Sequence, residues 1–115
     1  MEVEQTMRDT LFLTLLFDFY GDLLTTKQRD YYDLHYNQDL TLQEIAEQNG
    51  VSRQSVWDMI RRAEQSLREF EEKTGLVAKM LHRREVIGEI REILSRLRKK
   101  AEIERVIALL DSLDE

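Results

Sequence analysis

Apolar residues recur along the chain at helical spacing, and short polar clusters punctuate them. From Met7 to Tyr20, the residues Leu11, Leu15, Leu16 and Phe19 follow one another at helical intervals, with Phe12 and Phe17 broadening the stripe. This predicts a largely buried first helix that ends near Gly21. Past Leu23-Leu24, Thr25 followed three residues on by Gln28 has the form of a capping box and predicts a second helix through Tyr36. Tyr31, Leu34 and His35 are expected to face inward. Asn37-Gln38-Asp39 reads as a turn, and Thr41 with Glu44 predicts a short third helix through Gln48. Asn49-Gly50 breaks it. Ser52 then caps a fourth helix whose apolar face, Val56, Met59 or Ile60, Ala63, Leu67 and Phe70, keeps its period as far as Lys73. Thr74-Gly75 is the marked punctuation that follows.

Beyond Gly75 the pattern lengthens. Leu76, Met80, Ile87, Ile90, Leu94 and Leu97 form a coiled-coil-like seam, interrupted at Arg83, whose phase slips around Lys99-Lys100-Ala101 before Ile103, Ile107 and Leu110 restart it. A helical hairpin and a bent helix both fit that slip. The expected organisation is all-α: a helix-turn-helix bundle over residues 1–75 and a long helical extension over 76–115. The seam has two uses, as a homodimer contact through Ile87, Ile90, Leu94 and Leu97 or as a cover folded back over the helix-turn-helix.

Composition narrows the function classes. The chain has 115 residues, no Pro and four Gly, which suits one helical domain with an extension. With no Cys there is no disulfide, thiolate metal site or Cys nucleophile, as suits a cytoplasmic protein. The start, MEVEQTMRDT, is acidic where a secretory signal is basic, and Leu11 to Phe17 is too short to span a bilayer, so no membrane insertion is expected. The net charge of −6 argues against indiscriminate binding to phosphate backbones. It is unevenly spread: residues 1–50 hold 3 Lys/Arg against 10 Asp/Glu, residues 51–100 hold 13 against 8, and residues 101–115 hold 1 against 5.

The most informative stretch is LTLQEIAEQNGVSRQSV, residues 40–56. Ala46 stands where two helices of a helix-turn-helix cross and a small side chain lets their axes approach. Four residues later Gly50 suits the positive φ of a tight turn. Leu42, Ile45, Val51 and Val56 supply apolar contacts, and Ser52 caps the second helix where it would enter a major groove. The outward side chains near the start of that helix, Arg53, Gln54, Ser55 and Asp58, are the candidates for base edges, since Arg can chelate guanine and Gln adenine. Ser52, Arg61 and Arg62 are placed for phosphate. Asp58 is discordant beside phosphate unless it accepts from cytosine or pairs with Arg61 or Arg62.

Other candidates carry less. Trp57, Tyr31, Tyr32 and Tyr36 could stack on bases, but aromatic residues at helical spacing are usually core. His35 and His82 have no partner at metal-ligand spacing, and Glu71-Glu72 reads as a solvated face. No glycine-rich phosphate loop, activated nucleophile or metal set is present, so no catalytic site, cofactor or metal is expected and the chain is read as a non-enzyme.

Residues 40–67 resemble the promoter-reading helix-turn-helix, region four, of bacterial sigma factors. More widely, LFDFYGDLLTTKQRDYYDLHYNQDLTLQEIAEQNGVSRQSVWDMIRRAEQSLREFEEKTGL at 16–76, with the helical tail, resembles the YlxM family. That resemblance implies a small bacterial cytosolic protein encoded near signal recognition particle genes, with a regulatory or accessory role in that pathway. Ser52 and Arg53 match the sigma pattern and Gln54 matches as a polar group, whereas Ser55 and Trp57 stand where sigma factors often carry Arg. Two function classes follow. One is a DNA-binding transcription regulator, dimeric through its tail, whose two reading helices meet half-sites about one helical turn apart. The other is a protein- or RNA-binding accessory factor of the signal recognition particle pathway, acting through Arg83, Arg84, Arg91, Arg96, Arg98, Lys99 and Lys100.

Overall fold

Side-chain caps set where the helices begin. The computed structural model describes residues 2–97 and 99–114, with side chains from residue 9 onward. Arg98, one of the tail cations named above, lies outside the described residues. Helix α1 spans Glu2–Tyr20 and runs into a 3-10 turn, Gly21–Leu23. Helix α2 spans Thr26–Tyr36 and α3 spans Leu42–Asn49. Both open on reciprocal capping boxes: Thr25 accepts from the Gln28 N–H at 3.2 Å, and Thr41 from the Glu44 N–H at 3.1 Å. In return Gln28 and Glu44 accept from the cap residues' own N–H groups, each at 3.2 Å. Helix α4, Arg53–Thr74, is the longest; α5 spans Leu76–Ser95 and α6 Lys100–Asp114.

The turn between α2 and α3 is held by one carboxylate. The side-chain amides of Asn37 and Gln38 donate to Asp33 at 2.7 and 2.8 Å, and these bonds hold the Asp33 carboxyl below its ordinary pKa. Asp39 takes the left-handed conformation, with φ 59°. The ring Nδ1–H of His35 donates to the Leu40 carbonyl at 2.8 Å, closing the loop onto α2.

Two compact units result, one through Gly75 and one from Leu76. In the first, α1, α2 and α3 all pack on α4. Its centre is the inner face of α4, where Val56, Ile60, Ala63 and Leu67 are fully buried, with Leu16, Tyr32 and Ile45 joining them. Phe17 stacks on Tyr32 at 5.1 Å between ring centroids, and burial pushes the Tyr32 hydroxyl pKa well up. Tyr20 lies against Phe70, and its hydroxyl donates to Glu71 at 2.6 Å and contacts Thr74, tying the end of α1 to the end of α4.

Several expectations are corrected. The first helix begins at Glu2, before Met7. Its buried line is Leu16–Tyr20, while Leu11 and Phe19 are exposed. The run from Leu11 to Phe17 is apolar on every side of the helix, so spacing could not fix which side faces α4. On α2 the buried pair is Tyr31 and Tyr32, with Leu34 and His35 only half-buried, and Tyr36 is exposed. Ile60, and not Met59, is the buried alternative on α4.

The second unit is a helical hairpin, α5 packed on α6, which settles the alternative left open at Lys99-Lys100-Ala101. Arg84 pairs with Asp114 at 3.7 Å, and Arg91 pairs with Asp111. The expected seam divides. Ile87 is buried and Leu94 half-buried, whereas Leu76, Ile90 and Leu97 are exposed. No helix among the described residues is long and apolar enough to cross a membrane.

Candidate nucleic-acid interface

The site grows from the corner between α3 and α4. Ile45 and Ala46 are buried on α3, and Ala46, lacking a larger side chain, lets α4 cross close by. Gly50 ends α3 in the left-handed conformation, φ 65° and ψ 33°, with its N–H bonded to the Ala46 carbonyl. The Val51 N–H reaches the same carbonyl at 3.1 Å, and the Asn49 amide donates to the Ile45 carbonyl at 2.8 Å. Val51 itself is an exposed corner residue and not the core contact expected of it. The chain leaves the left-handed turn through this residue before Ser52 starts the next helix. Ser52 Oγ accepts from the Ser55 N–H at 3.0 Å and so caps α4.

With Val56, Ile60, Ala63 and Leu67 turned to the core, helical geometry sends Gln54, Asp58, Arg61 and Gln65 to the opposite side. Ser55 and Arg62 flank this ridge on one side, Arg53, Trp57 and Arg68 on the other. All of these side chains are exposed. The structure therefore exposes all of these candidates but spreads them: Gln54, Asp58 and Arg61 share the outward ridge, Ser55 and Arg62 stand on one flank, Arg53 on the other, and Ser52 caps the end. Among the described residues, Arg53, Arg61 and Arg62 hold no ion pair, while Arg68 is partly engaged by Glu64 at 3.4 Å. Three guanidinium groups are thus available to an outside partner.

Asp58 does not make the expected pair with an arginine of its own helix. It accepts from the Gln54 side-chain amide at 3.0 Å, a bond one helical turn long, instead of pairing with Arg61 or Arg62. Trp57 also departs from expectation. It is 37% exposed, and with Leu42, Arg53 and Gln54 it lines a shallow hollow beside the outward ridge of α4. Its indole is part of the surface, not of the core. The signal for this lay in the spacing, since Trp57 falls off the Val56, Ile60, Ala63 and Leu67 line. A second hollow runs along α4 between Asp58, Arg61, Arg62, Glu64, Gln65 and Arg68. Among the described residues, no group of three His, Asp or Glu is arranged to hold a metal ion.

Comparison with known families decides the lineage. The family profile described as "UPF0122: Putative helix-turn-helix protein, YlxM / p13 like" matches residues 7–107. The chain belongs to this family. It is 49% identical over 105 residues to a UPF0122 protein of Halalkalibacterium halodurans, covering 91% of this chain and 94% of the relative. It is 42% identical over 114 residues to the UPF0122 protein YlxM of Bacillus subtilis, covering 99% of this chain and all of the relative. The UPF0122 protein of Geobacillus kaustophilus is 46% identical over 113 residues. The family's description as a helix-turn-helix protein agrees with the all-α arrangement expected from the sequence, and the match extends from the first unit well into the hairpin.

Proposed function

We propose that this chain is a non-enzymatic, cytoplasmic DNA-binding regulator that reads duplex DNA through the outward face of α4, in the manner of a sigma region-four module. The supporting observation is the set of three guanidinium groups, Arg53, Arg61 and Arg62, exposed along the outward ridge and flanks of a capped helix and held by no carboxylate among the described residues. Arg53 and Gln54 address base edges, Ser55 and Asp58 border them, and Ser52, Arg61 and Arg62 take phosphate. Two copies joined through their tails would present two such helices to a duplex.

A second reading is favoured by the charge balance: the first 75 residues carry 8 Lys/Arg against 15 Asp/Glu, poor steering toward a polyanion. In it the chain is an accessory factor of the signal recognition particle pathway, binding that particle's RNA or protein through the basic residues of the hairpin. Selection of bound sequences from a random duplex pool, followed by salt titration, separates the two. The regulator reading expects an enriched motif, and Arg53→Ala should cost about 1–3 kcal/mol in binding while relaxing one position. Absence of duplex binding at low salt, together with hairpin-dependent RNA binding, would replace it with the second.

A further inference from the structure

We propose that the α5–α6 hairpin joins two copies of this chain face to face and antiparallel, as a four-helix bundle, through an apolar surface that both helices share. The surface consists of Val86, Ile90 and Ile93 on α5, Leu97 in the turn just past it, and Val106, Leu109 and Leu113 on α6. This deepens the tail-mediated pairing in the regulator reading, and corrects which residues carry it, but its test needs no DNA.

The hairpin has two unlike sides. Each residue advances ~100° around a helix axis, so positions can be placed relative to the buried ones. On α5, Val86, Ile90 and Ile93 fall in one narrow stripe roughly a quarter-turn back from Ile87, and Leu97 follows in the turn just past the helix end. On α6, Val106, Leu109 and Leu113 fall roughly a quarter-turn back from Ile103. Because the helices run antiparallel, the same sense of rotation brings both stripes to the same side of the hairpin. Arg84, Arg91 and Asp111 are rotated forward instead, which puts the ion pairs on the other side. The observed Arg91–Asp111 pair confirms that phase. Single exposed apolar residues are ordinary. Here Ile93, Leu97, Leu109 and Leu113 are each more than half exposed, at 58%, 57%, 59% and 67%, and the six helical residues stand on one continuous face.

Size and charge both fit a second copy. The seven side chains leave on the order of 600 Å² accessible per chain, so two chains reach about 1,200 Å², the lower end of stable specific interfaces. The stretch from residue 76 onward carries 9 Lys/Arg against 8 Asp/Glu, so two hairpins meet with little net repulsion. Their direction follows from the tip, where Arg96, Lys99 and Lys100 cluster near the turn. A parallel pair sets two basic tips side by side. An antiparallel pair separates them by roughly 30 Å, the length of the hairpin, which is several screening lengths in physiological salt. The resulting arrangement is isologous and closes at two copies.

Sedimentation equilibrium of the full chain tests the proposal. The expected mass is twice 13.8 kDa, falling to the single-chain value in Ile93→Asp/Leu109→Asp with helicity retained by circular dichroism. Arg84→Ala, on the ion-paired side, should keep the doubled mass. Since the chain has no Cys, single replacements report proximity cleanly: Ile90→Cys, at the centre of the face, should cross-link to itself under mild oxidation, and Leu97→Cys at the tip should not. A single-chain mass up to the solubility limit, a doubled mass that survives the double Asp variant, or cross-linking at Leu97 and not at Ile90 would each overturn the proposal. The cross-linking result decides the matter if the double variant unfolds.

Discussion

Two glycines on α-helical ground offer one chemical edit with opposite expected signs. Gly50 closes α3 with φ 65°, and a Cβ added there meets nothing within 4 Å. The cost of Gly50→Ala is therefore backbone strain alone, about 1–2 kcal/mol for forcing an L-residue into the left-handed region. Gly88 lies inside α5, and a Cβ there also meets nothing within 4 Å. With no clash to offset it, Gly88→Ala should stabilise its helix by about 1 kcal/mol through the smaller entropy loss of Ala. Trp57 is the only tryptophan and sits in α4, so its emission follows unfolding of the helix-turn-helix unit. For a unit of this size Gly50→Ala should lower that unit's midpoint by about 5–15 °C. Gly50→Asn should lose less, because Asn tolerates the left-handed region. Hydrogen exchange of α5 amides reads the Gly88 variant. A neutral Gly50→Ala would refute the reasoning, as would equal losses at Gly50 and Gly88, since either result would mean that backbone conformation is not what these sites select.

Tyr20→Phe keeps the ring against Phe70 but removes the hydroxyl bonded to Glu71, and should cost about 1.5 kcal/mol or more in urea unfolding; a loss below about 0.5 kcal/mol would remove this tie from the account of how α1 is held. Asp33 has a folded pKa below its unfolded one, so its contribution is complete above the ordinary carboxylate range and is lost as pH falls through the lowered value. Solvent screening keeps that contribution under about 1 kcal/mol. Asn37→Ala with Gln38→Ala should bring the Asp33 carboxyl titration, followed by NMR, back toward the ordinary aspartate value, and wild-type titration at or above that value would contradict the bonding described.

The helix boundaries were legible because they are set locally. Thr25 with Gln28 and Thr41 with Glu44 satisfy backbone groups within four residues, so the sequence carries both partners of each bond. Ser52 and Gly50 act at equally short range. What depends on distant neighbours was less legible. The side of α1 that meets α4, the exchange of Leu34 for Tyr32, and the exposure of Val51 are all decided by packing between segments far apart in the chain. The hairpin shows the same division: its break was visible as a phase slip, but Ile87 and Ile90, three residues apart in one apparent seam, proved to face different ways.

On α4, residue identity was legible and engagement was not. Arg53, Gln54 and Asp58 were recognisable as outward from spacing alone, yet the Gln54–Asp58 bond depends on two rotamers that no pattern prescribes. That bond changes the meaning of the acidic residue. Gln54 gives one amide hydrogen to Asp58 and keeps the other, together with its carbonyl oxygen. Those two remaining groups are the donor and acceptor that an adenine edge requires. Asp58, which by charge alone repels a duplex, can by geometry brace the glutamine beside it in the reading orientation. Replacing Asp58 therefore sets relief of repulsion against loss of the brace. Asp58→Asn separates the two, because it removes the charge and leaves an oxygen to accept from Gln54. If the brace matters, Asp58→Asn binds a selected duplex at least as tightly as wild type, whereas Asp58→Ala relaxes its preference at the base Gln54 faces; equal behaviour of the two variants would reduce Asp58 to a charge.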